Sequence, residues 1–345
     1  KFFAYALGET SEMVSHTHSD FLSCLAKFGF VVNPLITKCN SKDTLLSAYD
    51  KIGAARSMLE YDIDGVVYKI DRLEWQSRLG QVSRAPRWAV AHKFPAEQAE
   101  TRLLDIDIQI GRTGALTPVA RLQPINVGGV VISNATLHNE DEIRRKDIRI
   151  GDKVILQRAG DVIPQIVRSL PEKRDGTEIV FSFPDTCPRC GNPAVKQSGE
   201  AVIRCTGGFL CSAQCVEHLI HFVSRNAFDI EGLGSKQIIL FYKLGWLKQP
   251  SDIFLLTKKE KEIALLDGMG EKSAANLIKA INAKRKIELE RLIFALGIRQ
   301  IGISTARLLA QIYKTLEDLQ QNCITAQDKN HLSYQELISI DQIGE

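Results

Sequence analysis

Five of the eight cysteines fall between Cys187 and Cys215. Cys187-Pro188-Arg189-Cys190 is a two-thiol knuckle; Cys205 follows after 14 residues and Cys211 after five more. Two such thiolate pairs can close a tetrahedral Zn²⁺ site. Cys215, His218 and His221 lie just beyond and are alternatives for the fourth ligand. Cys211 is preferred, because the turn Thr206-Gly207-Gly208-Phe209-Leu210 can bring it back to Cys205. Cys215 heads an apolar helical pattern (Leu219, Ile220, Phe222, Val223), where a cysteine or histidine more often packs than ligates. Four thiolates leave no open coordination position, so the metal would be structural.

A second pattern repeats. Four segments place an apolar–Gly turn before a helical run: Ile230-Glu231-Gly232-Leu233-Gly234, Leu266-Asp267-Gly268-Met269-Gly270, Arg299-Gln300-Ile301-Gly302 and Asp341-Gln342-Ile343-Gly344. Their closing glycines are 36, 32 and 42 residues apart. Such units read as helix-hairpin-helix motifs. Glycine lets the backbone approach a phosphate, and the next helix offers its first N–H groups to the anion. Contacts of this kind carry no base information, so duplex DNA would be bound without sequence preference. A single turn of this type would be only a helical hairpin; four in 130 residues argue otherwise.

The third pattern is Asp62-Ile63-Asp64-Gly65-Val66-Val67-Tyr68-Lys69-Ile70, followed by Arg87-Trp88-Ala89-Val90-Ala91-His92-Lys93-Phe94-Pro95. A lysine on an apolar strand is costly unless it faces an anion or snorkels at the sheet edge. Strand alternation puts Val67 and Lys69 on one face, and Val66, Tyr68 and Ile70 on the other.

The elements that would position these residues follow from the same sequence. Lys1–Gly8 reads as a buried strand, Ser19–Phe28 as a helix stopping at Gly29, and Ile63–Ile70 as a strand. Residues 100–170 are rich in Val, Ile and Thr, with turn glycines at 111, 114, 128, 129, 151 and 160, which predicts a small β-barrel. Residues 171–186 look like a linker. From residue 216 short amphipathic helices take over. At 44% hydrophobic and 25% charged residues over 345 positions, the chain is a globular protein of two or three domains, not a disordered or coiled-coil one. No apolar run approaches the roughly 18 residues of a membrane span. Residues 65–174 carry 18 Lys and Arg against 13 Asp and Glu, while residues 216–345 carry 17 against 16. Bulk attraction for a polyanion should therefore come from the middle of the chain.

Six motifs then occur in one order: DGVVYK (64–69), WAVAHKFPAE (88–97), GRTG (111–114), SNATLHN (133–139), GDKV with RAGDVIPQ (151–165), and the cysteine cluster with CTGG, ahead of the four turns. Together they resemble the NAD-dependent DNA ligases of bacteria, from the first residue to the last. The resemblance implies a multidomain α+β chain. Residues 1–96 would be the C-terminal part of a nucleotidyltransferase (adenylation) domain and 97–182 an OB-fold β-barrel. Residues 183–215 would be a four-cysteine zinc finger, and 216–345 a helix-hairpin-helix domain cut in its fourth hairpin. It implies nick sealing in replication and repair: a lysine takes adenylate from NAD, passes it to the 5′-phosphate, and the 3′-hydroxyl displaces AMP. Positioning and neutralisation of developing charge would drive all three steps.

By the same resemblance Asp64, Gly65 and Lys69 form one nucleotidyltransferase motif and Lys93 lies in the next. Both lysines would touch the adenylate α-phosphate; Asp64 would help hold Mg²⁺ (or Mn²⁺) or orient Lys69. Zn²⁺ would sit on Cys187, Cys190, Cys205 and Cys211. Arg112, Arg158 and Asp161 would face the nick, and Gly232, Gly234, Gly268, Gly270 and Gly302 would lie on the duplex. The partner would be nicked double-stranded DNA and the protein a cytoplasmic, nucleoid-associated monomer with no membrane contact. The family's nucleophile sits in a Lys-x-Asp-Gly motif upstream of the Lys1–Gly8 segment. The sole match here, Lys173-Arg174-Asp175-Gly176, follows the barrel and reads as a solvated turn. The chain is thus expected to be an internal and C-terminal segment that cannot self-adenylate, without the module for the nicotinamide half of NAD or the terminal BRCT module. The alternative is a non-catalytic, zinc-containing DNA-binding module from a disrupted ligase gene.

Overall fold

Leu116, Pro118, Ala120 and Leu122 are buried and alternate with more exposed neighbours, the period of a strand with one face on a core. In the computed structural model, which describes residues 1–6, 8, 15–82, 85–127, 130–158, 164–341 and 343–344, that strand is Leu116–Val127 of a closed five-stranded barrel. The strands run in the order Gln165–Ser169, Val130–Thr136, Leu116–Val127, Glu97–Ile110, Lys153–Arg158. Glu97–Arg102 pairs antiparallel with Arg158–Lys153, and Gln165 joins Thr136 in the parallel contact. Leu103, Val154, Leu156 and Ile166 are almost fully enclosed. The barrel expected over residues 100–170 is present; Gly128, Gly129, Gly160 and Asp161 lie outside the described residues.

The described chain divides into two compact units: residues 1–106, 120–136 and 146–180, and residues 107–119, 137–145 and 181–345. In the first, the helix His18–Lys27 and the strand Gly65–Lys69 lie where expected. Lys1–Gly8 does not form the expected buried strand. Among its described residues Phe2 and Tyr5 are largely exposed, and Ala4 N donates to Val31 O without a ladder around it. An apolar run becomes a strand only where a partner edge runs beside it. Residues 171–186 are likewise more than a linker, since Ile179–Val180 pairs with Arg149–Ile150.

The Lys173–Gly176 stretch has a structural use. Arg174 donates through Nε (2.7 Å) and Nη2 (2.9 Å) to Asp152, whose side chain is wholly enclosed, and through Nη1 to Asp147 (2.6 Å). Asp152 also accepts from Arg149 N. These carboxylates raise the Arg174 pKa further. Lys173 pairs with the exposed Glu100 at the surface, and Gly176 takes a φ of 92° in the turn.

In the second unit, residues 212–295 enclose a core that includes Leu219, Phe222, Leu233, Ile238, Phe241, Ile253, Leu277 and Ile281. Ile293, Ala306, Leu309 and Leu319 form another. The helix Ser212–Val223, which opens this helical stretch, runs across the boundary expected at 215/216.

Replacing Arg174 with Ala should strand the Asp152 carboxylate in the barrel wall and lower stability by about 3 kcal/mol. Lys173→Ala, which touches only a solvated pair, should leave the urea midpoint nearly unchanged. Equal midpoints for the two variants would contradict this assignment.

Candidate functional site

The four cysteines predicted as ligands converge. The Sγ atoms of Cys187, Cys190, Cys205 and Cys211 all lie within 4.8 Å of one another. Cys187–Cys211 is 3.9 Å and Cys190–Cys205 3.4 Å, close to the S···S spacing that four Zn–S bonds of about 2.3 Å impose. Gly207 makes room, since a Cβ there would lie 3.0 Å from Cys190 Sγ and 3.3 Å from Cys205 Sγ. Gly207 N and Asn192 Nδ2 donate to these sulfurs. Asn192 pulls the Cys190 thiol down to about 6, whereas burial pushes Cys205 up to about 12. The donor set fits a structural Zn²⁺. The competing ligands are used elsewhere: Cys215 Sγ donates to Lys248 O at 2.9 Å, His221 Nε2 pairs with Phe294 O at 2.8 Å, and His218 meets the Phe209 ring edge-on.

The knuckle rests on Ile110 and Leu116 and is stitched to the loop 111–115. Cys205 N donates to Gly114 O (2.9 Å), and Arg204 Nη1 to Thr113 Oγ1 (2.7 Å). Arg112 Nη1 reaches Gly297 O, and burial lowers its pKa. One edge of the guanidinium expected to face the nick is therefore engaged within the protein. Arg158 ends its strand opposite Glu97.

The glycine turns have the predicted geometry. Gly234, Gly270 and Gly302 are the N-caps of the helices Ser235–Lys243, Glu271–Ala283 and Ile303–Tyr313, and none carries a side-chain cap. All three glycines are exposed, and a Cβ at Gly270 or Gly302 would meet nothing within 4 Å. Unsatisfied N–H groups of the first turn therefore point into open space. Gly232 and Gly268 take φ of 82° and 73° two residues earlier. The third turn has Gln300 at that place, with φ 67°. Sequence reading missed that strain; a Gln aligned on two glycines was the signal. The fourth turn's Gln342 lies outside the described residues.

In the first unit, Gly65–Lys69 pairs antiparallel with Ala89–Lys93 in the register Gly65↔Lys93, Val67↔Ala91, Lys69↔Ala89. Directly opposed residues share a face, so Lys69 and Lys93 project from the same side. Lys93 Nζ forms an ion pair with Asp64, so that carboxylate orients Lys93 rather than Lys69. Lys69 Nζ donates to Tyr5 O at 3.2 Å, and burial lowers its pKa. Gly65 serves the sheet itself: a Cβ there would sit 2.4 Å from His92 O. Behind the sheet Tyr49 stacks on His92 at 3.9 Å and donates to Lys93 O. Two cations on one face, one steered by a carboxylate, can hold a phosphate.

Comparison with known proteins matches each part separately. Residues 1–97 match the NAD-dependent DNA ligase adenylation domain, 100–178 the NAD-dependent DNA ligase OB-fold domain, and 186–213 the NAD-dependent DNA ligase C4 zinc finger domain. Residues 291–345 match the helix-hairpin-helix motif. Full-chain relatives named DNA ligase include that of Parvibaculum lavamentivorans, 54% identical over 355 residues, covering 100% of this chain and 50% of that protein. That of Paramagnetospirillum magneticum is 56% identical over 348 residues, with 99% and 49% covered. That of Acidiphilium cryptum is 60% identical over 313 residues, with 91% and 46% covered. The chain spans about half the length of the curated relatives it matches. No helix among the described residues is long and apolar enough to cross a membrane.

Metal analysis should find about one Zn²⁺ per chain, retained in Cys215→Ser and lost in Cys211→Ser. Chelation should loosen the packing on Ile110 and Leu116, because so small a knuckle has little core without its metal. Loss of metal in Cys215→Ser alone would reverse the ligand assignment.

Proposed function

We propose a function on one premise: this chain belongs to the bacterial NAD-dependent DNA ligase family, as a segment of such an enzyme. Within its parent protein it supplies the phosphate-handling face of the adenylation domain and most of the grip on nicked duplex DNA. The parent seals nicks in replication and repair with NAD as adenylate donor, acting as a monomer in the bacterial cytoplasm, at the nucleoid. Residues 1–96, 97–182, 183–215 and 216–345 are the working division, with the third boundary drawn inside one helix.

Lys69 and Lys93 are assigned to the adenylate α-phosphate, where paired ammonium groups neutralise the charge that builds on the non-bridging oxygens. Their shared face supports this. Asp64 holds Lys93 in line and, with the phosphate oxygens, would receive Mg²⁺ or Mn²⁺. Gly65 lets the strand bearing Lys69 close on the strand bearing Lys93, where a Cβ would meet His92 O.

The observation that carries the DNA reading is the uncapped start of three helices at exposed glycines. Backbone N–H groups grip phosphates there, and Gly232 and Gly268 shape the approach. Arg158 and the outer edge of Arg112 add charge from the barrel. A helical region with 17 basic and 16 acidic residues needs donors of this backbone kind to hold a polyanion.

Gly270→Ser tests it. Serine fits the extended N-cap (φ −145°, ψ 173°) and caps the helix, so stability should hold or rise. Its side chain occupies the place of the phosphate, so duplex affinity should fall by roughly tenfold. The log–log salt slope should start near −0.9 per phosphate neutralised and change less in Gly270→Ser than in the pair Arg112→Ala, Arg158→Ala. Undiminished binding by a folded Gly270→Ser would reduce the turn to a helical hairpin.

Adenylate-labelled NAD with Mg²⁺ should leave Lys173 unlabelled, since its ammonium is exposed and paired with Glu100 rather than held in a desolvated pocket. Peptide mapping that finds label at Lys173 would overturn that reading.

A further inference from the structure

The third hairpin turn is built differently from the first two. Where they use Gly232 and Gly268 at positive φ, it forces Gln300 to a φ of 67°. A non-glycine residue persists there only when its surroundings hold it. The surroundings are specific. Arg299, the residue before Gln300, forms an ion pair with Glu200 through Nη2 and reaches Gln197 Oε1 through Nη1 at 3.2 Å. Both partners lie in the loop between the zinc-knuckle strands Ala194–Lys196 and Ile203–Cys205. Glu200 also accepts from Arg204 Nε at 3.2 Å, and Arg204 is tied to Thr113 Oγ1 at 2.7 Å. The chain just ahead of the turn is fixed as well, because Gly297 O accepts from Arg112. The two arginines hold the Glu200 carboxyl below the usual carboxylate range. Arg112, Arg204, Arg299 and Gly302 line one open cleft of about 580 Å³.

We propose that Glu200 and Arg299 are positioning residues for DNA binding: their ion pair holds the Gln300 turn so that the N–H groups opening the helix Ile303–Tyr313 face a backbone phosphate. The proposal rests on the reading that this third turn binds DNA, and it adds the residues that aim it. It also gives a carboxylate a constructive part in binding a polyanion. Glu200 adds a negative charge beside the turn, so by charge alone its removal should tighten binding. As a positioning residue its removal should do the opposite.

The experiment is a set of duplex affinities for this chain and its Glu200→Ala, Arg299→Ala, Gly302→Ser and Glu200→Ala/Gly302→Ser forms, with amide hydrogen exchange at residues 306–309, the first amides of the helix that are hydrogen-bonded. Glu200→Ala and Arg299→Ala change net charge in opposite directions, yet both should weaken binding by roughly threefold, the range of a partly exposed ion pair. Both should speed exchange at residues 306–309. Glu200→Ala should add no further loss once Gly302→Ser has removed the phosphate contact, because the two act through one turn. Unchanged or tighter binding by Glu200→Ala, with Gly302→Ser still impaired, overturns the positioning role and leaves the hairpin reading standing. Full affinity in Gly302→Ser, with helix exchange intact, removes the hairpin reading instead, and this proposal with it.

Discussion

Gly114 sets how near a barrel loop can come to the cysteine knuckle. It is buried, its φ is 77°, and a Cβ on it would lie 2.6 Å from Cys205 O. Any side chain would push that carbonyl away, and Cys205 is one of the four clustered thiols. The other connections of the second unit are arranged around this approach. Cys205 N bonds Gly114 O, Gln214 Nε2 bonds Cys205 O, and Ala115 bridges to Arg204. One glycine thus ties the metal ligand, the loop and the first turn of the helix Ser212–Val223 to a common frame. The residues on either side inherit their orientation from it: Thr113 receives Arg204, and Arg112 reaches Gly297.

Much of this was legible in the residues alone. The zinc set was readable because tetrahedral thiolate coordination demands a local spacing, and Cys215 could be set aside because its neighbours recur at helical intervals. The hairpin turns were readable because a glycine before a helix is needed at each repeat. Strand alternation put Lys69 on its face. What stayed hidden depends on partners far along the chain. Arg112 meets Gly297, 185 residues away, so nothing near it announces that contact. Arg174 sits in a motif that mimics a nucleophile's, and only the enclosed Asp152 explains it. Asp64 steers Lys93 across the strand pair rather than Lys69 along its own strand. The apolar start of the chain predicted a strand, but a strand exists only beside a second edge, and local pattern cannot supply one.

Both faces proposed to handle phosphate use glycine for proximity, in different ways. At Gly65 the absent side chain lets two strands close on each other, with Lys69 and Lys93 on one face of the pair. At Gly270 and Gly302 the absent side chain leaves space in front of a helix, to be filled from outside. The first is a packing requirement and tolerates no substitute. The second is an opening kept clear at the expense of a better N-cap.

On the proposed reading of that opening, the duplex becomes part of the protein's own stability. Three helices begin with donors that no side chain satisfies, and each would be firmer with a Ser or Asp at the cap. In the proposed function a phosphate completes them. Whatever binds only the folded form stabilises it in proportion to the logarithm of its concentration. Under the proposed function, the helical region off DNA would be the softer, more readily opened and more readily proteolysed form of itself. A bound duplex would supply the caps it lacks, and its lifetime would be coupled to how much of it is engaged.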